Sequence, residues 1–93
     1  MDLLIIVHIK SSYEAWKTVF DSEPAIRAKF ADESRTRVAK ADDNTAMVQL
    51  FDVAMQKMSN VLNKPNSTVA EAMADHVVSR ELYKVEKMTP PGA

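Results

Sequence analysis

Two histidines are the side chains of this 93-residue sequence best suited to proton transfer near neutrality. His8 follows the apolar run Leu3-Leu4-Ile5-Ile6-Val7, and His76 shares helical spacing with Val69, Met73 and Val77. Either imidazole can act as a hydrogen-bond partner or a general base. Each also has a plain structural explanation. A histidine at a strand end is satisfied by a backbone carbonyl or water. A charged imidazole near a helix C-terminus is favoured by about 0.3–1 kcal/mol. Gln49 and Tyr83 could complete a polar set within an apolar pocket, and the Trp16 indole N–H and Tyr13 phenol could reach a ligand at the helix–sheet boundary. Yet Tyr13, Trp16 and Phe20, at spacings of three and four, equally describe the core face of a helix.

Much other chemistry is excluded. Without cysteine there are no disulfides, thiolate metal sites or thiol nucleophiles. Two histidines lacking a carboxylate at ligand spacing make no metal site, and no serine sits in a nucleophile elbow. The single glycine, Gly92, lies in the tail TPPGA, so neither a Walker loop nor a dinucleotide fingerprint is present. No cofactor is expected.

Twelve basic and thirteen acidic residues leave a net charge of −1, which gives no pull toward nucleic acid or an anionic membrane. The apolar run is far shorter than the ~20 residues of a membrane span, and Asp2 stands where a signal peptide is basic. The sequon Asn66-Ser67-Thr68 is therefore read as chance, and the expected compartment is the cytoplasm. Arg35, Arg37 and Lys40 form a basic strip. It reads as a solvated face guarding a sheet edge, or as a guide for a carboxylate toward a cavity mouth.

The elements that must position these residues follow from periodicity. Residues 3–9 predict a strand with Leu3, Ile5, Val7 and Ile9 on one face and Leu4, Ile6, His8 and Lys10 on the other. Apolarity on both faces means that both are covered. Ser11-Ser12-Tyr13-Glu14 reads as a capping box opening the aromatic helix. That helix stops near Pro24, which starts a further turn bearing Ile26 and Phe30.

Residues 34–41 predict an exposed strand, Asp42-Asp43-Asn44 a turn, and residues 46–53 a buried strand, the pair forming a hairpin. Asp52 is placed to cap a helix with Met55, Met58, Val61 and Leu62 on its face. Residues 63–66 interrupt that helix, and Thr68-Val69-Ala70-Glu71 reopens it as a second capping box. The four methionines Met47, Met55, Met58 and Met73 read as adaptable core filling. Residues 80–88 predict a last strand with Tyr83 and Val85 on one side.

The order strand, helix, strand, strand, helix, strand predicts an α+β, ferredoxin-like βαββαβ domain over residues 1–88, followed by a disordered tail over 89–93. Right-handed crossovers place the helices on one face of a four-stranded antiparallel sheet. The other face is apolar and needs cover. Two such sheets packed together make a dimeric α+β barrel.

This order and length resemble the dimeric α+β barrel superfamily, which includes antibiotic-biosynthesis-type monooxygenases, small polyketide cyclases and heme-degrading monooxygenases. More narrowly, IVHIKSSYEAWKTVFDSEPAIRAKF resembles a family of small, functionally uncharacterised bacterial proteins with an aromatic-Glu-x-Trp-x-x-x-Phe-Asp first helix, here Tyr13, Glu14, Trp16, Phe20 and Asp21. The resemblance implies a homodimer that binds a small, largely apolar organic molecule between sheet and helices, with cofactor-free oxygenation or cyclisation as the activity. It implies His8 as the inward base or hydrogen-bond donor and His76 as its polar partner. Heme bound to His76 would need a tryptophan in the same half of the chain, and Trp16 is not there. The alternative from another class is a non-catalytic interaction or regulatory module that uses the sheet face as an oligomer interface.

Overall fold

The computed structural model describes residues 1–62 and 75–92. Four strands, β1 (Asp2–Ile9), β2 (Arg37–Asp42), β3 (Thr45–Leu50) and β4 (Val77–Val85), form one antiparallel sheet in the order β2-β3-β1-β4. Helices α1 (Tyr13–Asp21), α2 (Pro24–Arg27) and α3 (Met55–Leu62) lie on one face of it. This is the ferredoxin-like α+β arrangement that the order of elements predicts. The helix interruption expected at residues 63–66, the second capping box, and Val69 and Met73 fall outside the described residues.

β1 sits between β3 and β4 in the sheet and carries apolar residues on both faces. Its alternation resolves cleanly. Leu3, Ile5, Val7 and Ile9 are only 3–5% exposed, and they pack with Ala46, Val48 and Leu50 of β3 into the core. Leu4, Ile6 and His8 point to the other face and are half-buried. The helices close the core with Trp16, Phe30 and Met58, joined by the partly buried Tyr13, Phe20, Ile26, Val61 and Leu62.

Several expected boundaries and contacts shift. β2 begins at Arg37 because Asp32 caps a 3-10 turn over Glu33–Arg35, accepting the Ser34 amide at 3.2 Å. β3 ends at Leu50, and β4 runs over 77–85 rather than 80–88. Asp52 does not cap α3. It adopts the left-handed conformation (φ 53°) and turns its carboxylate to Arg35.

The cap of α1 also moves by one residue. Ser12 takes the Ala15 amide at 3.2 Å, and Glu14, one position too early to reach back, pairs with Lys40 at 3.1 Å instead. Met58 is core, whereas Met47 and Met55 are exposed.

The β2–β3 turn locks the junction between β1 and α1. Asp42 Oδ1 accepts the Asn44 amide at 2.8 Å and shapes the turn. The Asn44 carbonyl accepts the Ile9 amide and the Asp43 carbonyl accepts the Tyr13 amide, both at 2.7 Å. The Asn44 side-chain amide donates to the carbonyls of Ile9 and Ser11. The start of the aromatic helix is therefore fixed from outside its own segment.

Candidate functional site

The sheet has two faces, and the candidate residues divide between them. On the helix-covered face lies a cavity of about 140 Å³. Ile5, Val7, Val48 and Leu50 form its floor, while Trp16, Phe20 and Phe30 form an aromatic wall. The rings of Trp16 and Phe20 are tilted against each other with centroids 5.1 Å apart, and Tyr13 follows at 5.9 Å from Trp16. α1 can present this wall because Tyr13, Trp16 and Phe20 recur at helical spacing and the Ser12 cap fixes the first turn.

Among the described residues, three ionic side chains line an otherwise apolar cavity: Glu23, Arg27 and Arg80. Arg27 is held tightly. Its Nε and Nη2 donate to the Glu33 carboxylate at 2.8–3.1 Å, and its Nη1 donates to the Phe20 carbonyl at 2.6 Å. The guanidinium also stacks on the Phe20 ring, 3.7 Å from the centroid. With side-chain exposures of 12% and 24%, Arg27 and Glu33 form the least exposed ion pair among the described residues. Such a fork–fork pair braces α2 against the 3-10 turn and neutralises the cation at the cavity wall.

Arg80 differs. It comes from β4 at the register position opposite Val7, it is exposed, and no carboxylate pairs with it among the described residues. Sequence reasoning passed over all three ionic residues. The available signal was the two-residue alternation that puts Arg80 on the same side of β4 as Leu82.

The open face carries the other set. His8, Gln49 and Tyr83 all lie there, on β1, β3 and β4, because Leu4 pairs with Gln49 and with Tyr83 across the ladders. His8 Nε2 donates to Glu81 Oε2 at 2.7 Å, and the Tyr83 hydroxyl donates to Glu81 Oε1 at 2.8 Å. The bond from His8, then that from Tyr83, holds the Glu81 carboxyl below its ordinary value. The same carboxylate raises the Tyr83 phenol above its own.

His76 is elsewhere. It immediately precedes β4, its Nδ1 is hydrogen-bonded to Ser11 Oγ at 2.7 Å, and its carbonyl accepts the Lys10 amide. Neither histidine lines the cavity, and each has its own partner. His8 borders a shallow groove beside the β2–β3 turn instead, with Asn44, Thr45 and Ser79. Of the six sequence-predicted residues, the structure brings Trp16 to the cavity wall with Tyr13 beside it, gathers His8, Gln49 and Tyr83 on the opposite face, and sets His76 at the strand–helix joint.

The basic strip does not reach the cavity. Arg35 is taken by Asp32 and Asp52, Lys40 by Glu14 and Asp43, and Arg37 lies 5.6 Å over the Phe51 ring. Among the described residues no group of three His, Cys, Asp or Glu side chains could hold a metal ion. No helix there is long and apolar enough to cross a membrane.

No known family model matches the chain, and no curated protein does. Among solved structures it is similar to SnoaB, a cofactor-independent oxygenase from Streptomyces nogalater. The two share 14% identity with a TM-score of 0.65 over 96% of this chain and 95% of that one. A single-residue mutant of SnoaB superposes with a TM-score of 0.64 at the same identity and coverage. At this identity the likeness establishes the fold.

Proposed function

We propose that the protein is a homodimer, closed as an α+β barrel by its two open sheet faces, that takes up a small, largely apolar organic molecule in the cavity beneath Trp16. One observation carries the binding half: a walled hollow, aromatic on one side and aliphatic on the floor, with three ionic groups in its lining. Support for the dimer comes from the open face. There the half-buried Leu4 and Ile6 adjoin the exposed Met47, Tyr83 and Val85 in a band that gains by being covered.

The catalytic form of this reading is cofactor-free oxygenation or cyclisation, the former being the chemistry for which SnoaB is named. In such reactions the protein keeps water from the substrate and moves a proton. His8 is the proposed base, since Glu81 occupies Nε2 and leaves Nδ1 for proton transfer. His76, tied to Ser11, is the proposed second polar group. Because His8 stands across the sheet from the cavity, it can serve only a reacting molecule on the open face between the two sheets, so mutation separates uptake beneath Trp16 from the chemistry. His8→Ala and His76→Ala should leave ligand uptake intact and remove turnover. Unchanged turnover would move the chemistry to Glu23, Arg27 and Arg80.

The apolar band also favours a second reading, in which the sheet face is an oligomer interface of an interaction module and no ligand binds. Native mass spectrometry separates the two. A dimer carrying extra mass supports binding, a bare dimer supports the module, and a monomer removes the barrel from both.

A further inference from the structure

Resting on the cavity as the binding site, we infer that its occupant is a single-ring aromatic acid, with the ring against Trp16 and the carboxylate on Arg80. Size sets the first half. At about 140 Å³ the hollow is smaller than ordinary ligand pockets, which run from ~300 Å³ upward. Cavities of ~150 Å³ lined by aliphatic and aromatic side chains stay dry and accept a benzene-sized guest. Here the walls offer that surface: Trp16 and Phe20 for ring-on-ring contact, Val48 and Leu50 for the opposite side. A fused bicyclic ring fills the hollow with no room to spare and fits less well than a single ring.

Charge sets the second half. Of the two cations in the lining, Arg27 is already neutralised by Glu33 and its guanidinium is stacked on Phe20. Among the described residues Arg80 has no carboxylate partner and is the one exposed side chain of the lining, so it marks the mouth. A planar guanidinium at the edge of an apolar hollow matches a carboxylate attached to a ring, because two parallel N–H···O bonds fix the group while the ring stays dry. Glu23 also lines the cavity, half-buried at the start of α2, and repels an anion from its own end. The ligand is thereby oriented with its acid group toward β4.

Trp16 is the only tryptophan, so its fluorescence reports the cavity directly. Full-length protein would be titrated with toluene, benzoate, benzylamine and 2-naphthoate. Benzoate should give a saturable change at least ~10-fold tighter than benzylamine, the factor corresponding to one charge-assisted contact, and 2-naphthoate should bind more weakly than benzoate. Arg80→Gln should bring benzoate down to the affinity of toluene while leaving toluene unchanged. Lys84→Gln, outside the lining and paired with Glu86, serves as the control and should change neither.

Equal binding of benzoate and benzylamine, or a benzoate affinity indifferent to Arg80→Gln, overturns the assignment of the acid group. Naphthoate binding as tightly as benzoate overturns the size limit. In both cases the cavity survives as a binding site. No saturable response to any of the four compounds overturns the cavity reading itself.

Discussion

On the covered face of β1, Ile5 and Val7 are 5% and 4% exposed, while on the opposite face Leu4 and Ile6 of the same strand keep part of their surface in water. Composition does not separate these residues. What separates them is the neighbour each side meets. The covered side faces α1, α2 and α3 and becomes a core with a hollow in it. Among the described residues the open side meets no other layer, and its apolar band is crossed by the Tyr83–Glu81–His8 hydrogen-bonded chain. An apolar strip interrupted by a satisfied polar chain suits a surface that must sit against a partner in one register, because misplacing it would strand the polar groups.

This contrast can be broken in graded steps. Ile5→Ala should cost the most, about 2–5 kcal/mol in a denaturant titration, because it leaves a void among packed neighbours. Ile6→Ala, next along the chain, should cost well under half of that at concentrations where the protein is monomeric. Equal losses would mean that the two faces do not differ.

Ile6→Asp should come next. It should leave circular dichroism native-like while weakening self-association by about 2 kcal/mol or more, roughly 30-fold, in sedimentation equilibrium. A dimer unaffected by this change would exclude the open face as the interface.

Ser12→Ala tests how the covered face is held in place. Loss of the cap should destabilise the fold by about 1 kcal/mol, with no comparable loss in Ser11→Ala. The smallest expected effect belongs to Glu81→Gln. The Glu81 carboxyl is depressed in the folded state, so its contribution is present above the ordinary value of 4.5 and is lost as pH falls through the folded value below it. The variant should therefore be less stable than the parent at neutral pH, and the gap should close as the pH drops below 4.5. A constant gap across that range would mean that the ionised carboxylate is not what His8 and Tyr83 hold.

The legible part of the fold was the part written in short-range pattern. The apolar run of residues 3–9 marked β1 and its two faces, and the aromatic spacing of residues 13–20 marked α1. Asp42-Asp43-Asn44 marked the hairpin, whose side-chain-to-backbone turn is local chemistry. Errors arose where a local rule competed with a distant partner. Glu14 had the spacing of a capping box, but Lys40 of β2 was within reach. Asp52 had the position of a cap, but Arg35 and the reversed backbone at that residue took it. The ionic lining of the cavity was illegible for the same reason. Glu23 and Arg27 stand at the two ends of the short α2 while Arg80 comes from β4, and nothing within either segment announces the other.

By itself, the sequence determined the succession of strands and helices, the two faces of β1 and the aromatic side of α1. All of these follow from periods of two and 3.6 residues and from caps and turns that act within a few positions. Only the tertiary structure decided which face each candidate residue joins and which base meets which acid. Those outcomes depend on ladder register, where a slip of one residue turns a side chain to the other face. The register Ile6–Glu81 sets the carboxylate beside His8 on the open face, and the register Val7–Arg80 sets the guanidinium at the mouth of the cavity.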